Sequence, residues 1–187
     1  MLKTLILKTS QKSKVNNIAN KMTLFIDMDG VVADFFSLLA RENKVSHWKE
    51  IKDREKALFQ IRGTDFFNRV AAFEGADSLI SFARKTKNWG ICSTPLRGDR
   101  ANSIYWKRVW LERHNFMPQN DKCIFTSDKH KYAVDLATET PNILVDDKLE
   151  NIIRWESSGG VGLRFQAGEE SYISLIRRLE KLANFRE

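Results

Sequence analysis

The sequence is poor in cysteine, proline and glycine, and it has no long hydrophobic run. It contains 2 cysteines, 3 prolines and 9 glycines among 187 residues. Cys92 and Cys123 fit neither a disulfide framework nor a zinc site, and both lie in apolar runs, as buried thiols do in a reducing compartment. No apolar run approaches the ~18 residues of a membrane helix, and we find no export signal. We therefore expect a cytoplasmic protein without a membrane partner.

The residues that are abundant predict one packed domain. Hydrophobic residues make up 42% of the chain and charged residues 29%, and there are 12 Phe, 5 Trp and 3 Tyr. This composition excludes intrinsic disorder, because so many aromatic side chains can bury a full core. A chain of this length is typical of a single domain with at most a small insert.

The net charge of +7 is concentrated at the start of the chain. Residues 1–21 contain five lysines and no acidic residue, so they carry +5 of the total. The rest of the chain is nearly balanced, which leaves a nucleic-acid partner open but does not favour one. We expect residues 1–21 to be a basic, poorly ordered extension, or translation to begin naturally at Met22. Residues 22–187 would then form the folded domain.

Apolar runs alternate with amphipathic stretches along the rest of the chain. This alternation predicts an α/β fold, with a parallel sheet of about five strands and helices on both faces. The predicted strands are 23–27, 89–92, 122–125, 143–145 and 161–165. Residues 34–62 are predicted to be mostly helical, with a charged and aromatic middle, and the other predicted helices are 75–87, 102–114, 131–138 and 171–183.

Polar residues follow four of the predicted strands. In a parallel sheet, ligands bind beyond the carboxyl ends of the strands, so these residues are candidates for one site. They are Asp27-Met28-Asp29-Gly30, Ser93-Thr94-Pro95, Asp128-Lys129 and Asp146-Asp147.

Four aspartates would meet at this edge of the sheet. Like charges repel, and a hard divalent cation such as Mg²⁺ resolves the conflict, so Asp27, Asp29, Asp146 and Asp147 form a candidate metal site. The alternative for Asp29-Gly30 alone is an ordinary turn. A carboxylate beside Mg²⁺ can also attack phosphorus, which makes Asp27 the candidate nucleophile and Asp29 the candidate acid and base.

Phosphate oxygens could be held by residues that follow the second and third strands. Ser93 and Thr94 offer hydroxyl and backbone N–H groups, and Arg97 adds a charged fork. Lys129 can bind a phosphoryl group as a point charge. The alternatives are that Ser93 and Thr94 only turn or cap the chain and that Lys129 is a solvated surface lysine.

The four polar segments that follow the strands, taken in chain order, resemble the four motifs of the haloacid dehalogenase (HAD) superfamily of phosphotransferases. Within it, the chain is most similar to the 5'(3')-deoxyribonucleotidase family over roughly residues 22–155. The likeness rests on Asp27-Met28-Asp29-Gly30-Val31 continuing into Ala33-Asp34-Phe35, on Phe66-Phe67, on Gly75-Ala76, on Ile91-Cys92-Ser93-Thr94-Pro95, on Asp128-Lys129 and on Val145-Asp146-Asp147.

The resemblance implies a HAD-like fold with a small helical cap at about 35–72, inserted after the first motif. It implies that Mg²⁺ is held by Asp27, the Asp29 carbonyl and the Asp146-Asp147 pair. It also implies that Ser93, Arg97 and Lys129 bind phosphate. Aromatic side chains would line the nucleoside pocket, with ordinary core packing as their alternative: Phe35, Phe66 and Phe67.

Two departures from the family pattern affect the site. Ser93-Thr94 reverses the usual order of the two hydroxyl residues, which is chemically tolerable. Sixteen residues separate Lys129 from Asp146, more than the family pattern has, so Lys131 is a rival for the phosphate-binding lysine.

Three functions are consistent with the sequence. The first is a Mg²⁺-dependent phosphatase that hydrolyses (deoxy)ribonucleoside monophosphates through an aspartyl phosphate. The second is a phosphatase for phosphorylated nucleic-acid ends, and the third is a non-catalytic nucleotide-binding protein on the same fold. The sequence leaves a homodimer open.

Overall fold

The computed structural model describes residues 22–119 and 122–183, and its centre is a parallel sheet of five strands. The predicted basic extension, residues 1–21, lies outside the described residues. The sheet consists of β1 (Leu24–Ile26), β2 (Trp89–Ser93), β3 (Cys123–Phe125), β6 (Ile143–Asp146) and β7 (Val161–Arg164), in the order β3-β2-β1-β6-β7. The predicted α/β class and the five-stranded parallel sheet are confirmed.

Seven α-helices surround the sheet in the described part of the chain. They are α1 (Phe35–Glu42), α2 (Arg54–Gln60), α3 (Phe66–Arg69), α4 (Ala76–Lys85), α5 (Arg100–Arg113), α6 (Leu149–Ser157) and α7 (Tyr172–Ala183). None of these helices is long and apolar enough to cross a membrane.

Side chains of the central strands alternate between two cores, one on each face of the sheet. Leu24 and Ile26 belong to the larger core, whereas Phe25 between them belongs to the smaller one. The same alternation separates Val145 from Leu144. Because successive strand residues point to opposite faces, this pattern explains why the strands read as continuous apolar runs.

The strand order reverses beside β1. The chain builds β1, β2 and β3 outward in one direction and later places β6 and β7 on the other side of β1. Such a switch point opens a crevice at the carboxyl ends of the two strands that flank it. Here those strands are β1 and β6, which end next to Asp27 and at Asp146.

The segment between β1 and α4 is an insert whose two ends lie side by side. Ala33 forms an antiparallel bridge with Ala72, and the Asp34 amide donates to the Ala71 carbonyl. Between these ends lie α1, a 3₁₀ turn at Trp48–Glu50, α2 and α3. The insert falls within the range predicted as a cap, about 35–72, and its role as a cap stays a prediction.

The insert contacts α5 through polar side chains and one buried tryptophan. The Trp110 indole N–H donates to the Val70 carbonyl at 2.7 Å, and Trp110 is fully buried. Asn102 donates to the Thr64 carbonyl at 2.9 Å, and Arg113 donates to Asn68 Oδ1 at 2.9 Å. A buried ring whose only polar group is satisfied gives α5 a fixed position beside the insert.

The predicted helix at 131–138 is wrong. The chain forms a 3₁₀ turn at Lys129–Tyr132 and then a two-stranded antiparallel ribbon of β4 (Val134–Asp135) and β5 (Thr140–Pro141). The tip of the ribbon is closed by the Asp135 side chain, which accepts from the backbone of Ala137 and Thr138. β-Branched residues and an Asp turn favour this local structure over a helix.

One helix was not predicted, and one predicted helical stretch is divided. No helix was predicted between 145 and 161, where the structure has α6, a short amphipathic helix that buries Ile152 and Trp155. The stretch predicted as mostly helical, 34–62, consists of α1, the 3₁₀ turn at Trp48–Glu50 and α2, and its first break follows Glu42, where the chain turns through Lys44 with a positive φ of 56°. A lysine in that conformation cannot continue an α-helix.

Candidate active site

The first predicted aspartate lies at the carboxyl end of the central strand and is nearly buried. Asp27 is 6% exposed, and its Oδ1 accepts from the Met28 amide at 2.7 Å. Its Oδ2 lies 2.9 Å from Lys129 Nζ. The Met28 amide and Lys129 therefore hold the Asp27 carboxylate in one orientation.

Lys129 joins two strands by contacting an aspartate from each. Its Nζ lies 2.9 Å from Asp27 Oδ2 and donates to Asp146 Oδ2 at 2.6 Å. Burial alone would lower the pKa of Lys129, but the charges of Asp27 and Asp146 outweigh burial and raise the pKa above its usual range. The lysine is thus a buried cation between two carboxylates. In contrast, Lys131 is 66% exposed and pairs with Asp128 at 2.9 Å.

Three aspartates converge at the switch point. Asp27, Asp146 and Asp147 each offer a carboxylate oxygen, and the three oxygens lie within 4.8 Å of one another. Burial, followed by the charges of Asp27 and Asp146, raises the pKa of Asp147 to about 8. Burial also raises the pKa of Asp146. Three converging carboxylates with one lysine between two of them carry an excess of negative charge, which fits a hard divalent cation such as Mg²⁺.

The position of Asp147 depends on the absence of a side chain at residue 30. Gly30 has a φ of +80°, and a Cβ built there would lie 2.7 Å from Asp147 Cγ and 2.7 Å from Asp147 Oδ2. Among the described residues, no hydrogen bond or ion pair involves the Asp147 carboxylate. The glycine of the Asp-Met-Asp-Gly turn therefore leaves this carboxylate free to act as a ligand.

Asp146 is held by α6 as well as by Lys129. Asn151 Nδ2 lies 3.1 Å from Asp146 Oδ1 and 3.0 Å from Oδ2, and the Lys148 amide donates to Oδ1 at 2.9 Å. The sequence analysis did not identify Asn151. Hydrogen bonds of this kind fix the orientation of a carboxylate that binds metal.

The second aspartate of the first motif contacts a lysine that the sequence analysis missed. Lys107 Nζ donates to Asp29 Oδ2 at 2.7 Å, to Ser93 Oγ at 2.8 Å and to the Thr94 carbonyl at 3.0 Å. Burial raises the pKa of Asp29, while the Lys107 charge acts in the opposite direction. Lys107 therefore joins the first motif to the second.

A sequence signal for Lys107 does exist. The buried residues of α5 are Ser103, Lys107, Trp110 and Leu111, a spacing that places them on one helical face. A lysine on the apolar face of a helix is seldom fully buried unless its charge is paired. The signal is weak without the structure, because α5 also carries charged and aromatic residues on its other faces.

The other predicted phosphate ligands differ in position. Ser93 is completely buried next to Lys107, as described above. Thr94 is exposed, and its hydroxyl donates to the Thr126 carbonyl at 3.2 Å. Arg97 is exposed on the loop that leads to α5. The structure thus brings Ser93 and Lys129 to the carboxylates but does not bring Arg97 into contact with them.

The three phenylalanines predicted to line a pocket form one buried cluster. Phe35 lies 5.3 Å from Phe66 and 5.8 Å from Phe67 between ring centroids. All three are at most 7% exposed, which fits the core-packing alternative. Phe67 also lies next to the site, since Lys107 Nζ is 5.0 Å from the centre of its ring. A role for the cluster in binding a nucleoside stays a prediction.

No family model and no curated protein matches this sequence. Solved structures do match in fold. A protein described as a HAD-hydrolase from Bacillus subtilis, in a crystal structure bound to magnesium, has a TM-score of 0.55 at 14% identity, over 88% of this chain and 99% of that one. A hydrolase from Streptococcus pneumoniae has a TM-score of 0.54 at 12% identity, over 84% of this chain and 97% of that one.

A third structure extends the same likeness. A haloacid dehalogenase-like hydrolase from Streptococcus pneumoniae has a TM-score of 0.51 at 16% identity and covers 89% of this chain and 99% of that one. Similarity at such low identity is evidence about fold, because one fold can support many activities. The sheet order, the switch-point aspartates and these three neighbours together show that the chain has the fold of the haloacid dehalogenase-like hydrolases.

Proposed function

We propose that this protein is a phosphatase that hydrolyses phosphate monoesters through a phosphorylated aspartate, Asp27. One observation carries the proposal: Asp27, Asp146 and Asp147 converge at the switch point while Lys129 holds the first two. Carboxylates gathered around a buried lysine at a strand end suit phosphoryl transfer, which depends on positioning and charge stabilisation.

The first half of the reaction transfers the phosphoryl group to the protein. A carboxylate oxygen of Asp27 forms a bond to phosphorus as the bond from phosphorus to the ester oxygen breaks. Asp29 gives its proton to the departing oxygen, which leaves as an alcohol. The raised pKa of Asp29 supports this role, because a carboxyl group must hold a proton in order to donate it.

The second half regenerates the protein. Asp29, now a carboxylate, takes a proton from a water molecule as the water oxygen attacks phosphorus. The bond from phosphorus to Asp27 breaks, so inorganic phosphate leaves and both carboxyl groups return to their starting states. Asp29 thus acts first as an acid and then as a base.

Charge on the phosphoryl group would be balanced by residues from four strand ends. Lys129 supplies a positive charge, and the Ser93 hydroxyl and backbone N–H groups of its loop supply hydrogen bonds. Mg²⁺ would be held by Asp27, the Asp29 carbonyl, Asp146 and Asp147, where it would neutralise phosphoryl charge. The fit rests on the three converging oxygens and on the Asp147 carboxylate described above.

We propose nucleoside monophosphates, including deoxyribonucleotides, as the substrate class. The support is the resemblance of the motifs to the deoxyribonucleotidase family. The aromatic cluster of Phe35, Phe66 and Phe67 lies beside the site at Lys107, and because its rings are buried it would form the wall behind a nucleoside pocket. The insert that carries these rings begins and ends beside the first motif.

Phosphate release from a substrate panel tests the proposal. The full chain is assayed with and without Mg²⁺ on deoxyribonucleoside and ribonucleoside monophosphates, a sugar phosphate and a phosphorylated oligonucleotide. We expect Mg²⁺-dependent release from mononucleotides that Asp27→Asn abolishes, because an amide cannot form the intermediate. Asp77→Asn, a change at an exposed carboxylate of α4, is the matched control and should retain activity.

Each other outcome has a definite meaning. Turnover of the oligonucleotide alone would replace mononucleotides by nucleic-acid ends. Turnover of the sugar phosphate alone would retain the mechanism but reject the nucleotide. Mononucleotide binding without phosphate release from any substrate would contradict the phosphatase proposal and favour a binding protein. Substantial activity in Asp27→Asn would remove Asp27 from the role of nucleophile.

A further inference from the structure

Lys107 is a fully buried cation whose hydrogen-bonding capacity is used completely. An ammonium group has three N–H donors, and Lys107 Nζ has three acceptors within 3.0 Å: Asp29 Oδ2, Ser93 Oγ and the Thr94 carbonyl. The face of the Phe67 ring covers it at 5.0 Å from the ring centre. Because all three N–H groups are bonded, the ammonium group is fixed in one position, next to Asp29.

The helix that carries Lys107 is itself fixed. Trp110, less than one turn further along α5, is fully buried and bonded to the Val70 carbonyl. Ser103, one turn earlier, is also fully buried, and its Oγ accepts from the Leu96 amide at 3.0 Å. A residue can hold a catalytic group to within a fraction of an ångström only if its own helix is fixed, and Trp110 and Ser103 fix the helix on both sides of Lys107.

We propose that Lys107 is the positioning residue for Asp29 and Ser93 in the phosphatase reaction, which makes this inference dependent on the proposed function. By donating to Asp29 Oδ2, Lys107 fixes the plane of the carboxyl group and leaves Oδ1 for the ester oxygen of the substrate. No hydrogen bond within the described ranges reaches Asp29 Oδ1. By donating to Ser93 Oγ, Lys107 leaves the Ser93 hydroxyl proton free to bond a phosphate oxygen.

A purely structural role explains Lys107 poorly. Transferring an ammonium group out of water is costly, and an apolar side chain of similar length could fill the same space without that cost. Lys107 contacts Asp29 and Ser93, which must act together in the reaction. We therefore expect its loss to affect the chemical step more than the stability of the fold.

Dependence on the leaving group tests the role at Asp29. The para-nitrophenolate ion departs without being protonated, whereas the alkoxide of β-glycerophosphate needs the proton that Asp29 supplies. In Lys107→Met we expect kcat/KM to fall about 100-fold on β-glycerophosphate, the usual scale of general acid catalysis, and much less on para-nitrophenyl phosphate. Lys107→Arg keeps a cation near Asp29 and should restore part of the loss on β-glycerophosphate.

Lys85→Met is the matched control, because it makes the same change at an exposed lysine of α4. It should leave kcat/KM on both substrates unchanged. An equal loss on both substrates in Lys107→Met, with no rescue by Lys107→Arg, would overturn the positioning role.

A second measurement does not depend on activity. The melting temperature is compared for the original protein, Lys107→Met, Asp29→Asn and the double variant. We expect Lys107→Met to lower the melting temperature clearly less in the Asp29→Asn background, because the partner charge is already absent. Additive shifts would contradict a Lys107–Asp29 contact. If the original protein releases phosphate from neither these esters nor the mononucleotides, the proposed function fails, and this cycle alone decides the contact.

Discussion

At the scale of single residues, the site depends on which positions carry a charge and which carry no side chain at all. The predicted aspartates could be found from sequence because they directly follow apolar strands. Lys107 could not be found in this way, because its relation to Asp29 and Ser93 arises from the packing of α5. The choice between Lys129 and Lys131 likewise needed three-dimensional contacts, since both lie close to the third motif.

Lys129→Met should be far more damaging than Lys131→Met. Removing Lys129 leaves Asp27 and Asp146 as buried charges without their cation, which costs about 3–5 kcal/mol when one partner of a buried pair is lost. The exposed pair of Lys131 and Asp128 is screened by solvent and contributes little to stability. Urea unfolding measures both free energies, and phosphate release measures activity. The reverse order of activities would reassign the phosphate-binding lysine.

Gly30→Ala should reduce activity because the added Cβ displaces Asp147, and Gly63→Ala serves as the control for backbone strain. Gly30 and Gly63 have similar positive φ angles of +80° and +68°, so alanine at either position is strained by about 1–2 kcal/mol. At Gly63 nothing lies within 4 Å of the added Cβ, whereas at Gly30 the Cβ collides with the Asp147 carboxylate. We expect similar losses of stability but a loss of phosphate release only for Gly30→Ala. Equal activities in the two variants would contradict the role given to Asp147.

At the scale of elements, strands were predictable and short connecting elements were not. The central strands β1, β2 and β6 are buried runs, mostly apolar, that can be recognised without knowing their partners, as at Ile143–Asp146. α6 is amphipathic and buries Ile152 and Trp155, so a helical pattern was present in its sequence but was not recognised over so few residues. The β4–β5 ribbon resembles a helix in composition, and it becomes a ribbon through the turn at Asp135 and the bond from the Asn142 amide to the Ala133 carbonyl.

α6 should matter to the site through one amide. Asn151→Ala removes the side chain that bonds both oxygens of Asp146, and loss of such a supporting bond usually lowers metal affinity or activity about 10–100-fold. Ile153→Ala, on the same helix at a position that is 52% exposed, is the control and should behave like the original protein. Phosphate release as a function of Mg²⁺ concentration measures the effect. Identical Mg²⁺ dependence in both variants would exclude a role for Asn151.

At the scale of the whole molecule, sheet topology brings the distant motifs together. Residues 27 and 146 lie far apart in sequence, yet the parallel pairing of β1 with β6 places them side by side, with Lys129 between them. The strand and helix pattern predicted the class of fold, and the order β3-β2-β1-β6-β7 was visible only in the structure. Gathering three carboxylates at this point has a cost, since each adds to the repulsion felt by the others.

That repulsion should make the stability of the metal-free protein depend on pH. Burial and the neighbouring carboxylates raise the pKa of Asp147 from 3.8 to about 8, so between these values the folded protein retains a proton that the unfolded chain has lost. The free energy of unfolding should therefore fall as pH rises from about 4 to about 8, and the Asp147 contribution should level off above that range. Melting temperatures measured with a chelator across this range test the sign. Asp147→Asn should flatten the dependence, and Mg²⁺ should stabilise the original protein most at the high end of the range, where the carboxylates are ionised. Parallel pH profiles for the original protein and Asp147→Asn would contradict this account of the acidic cluster.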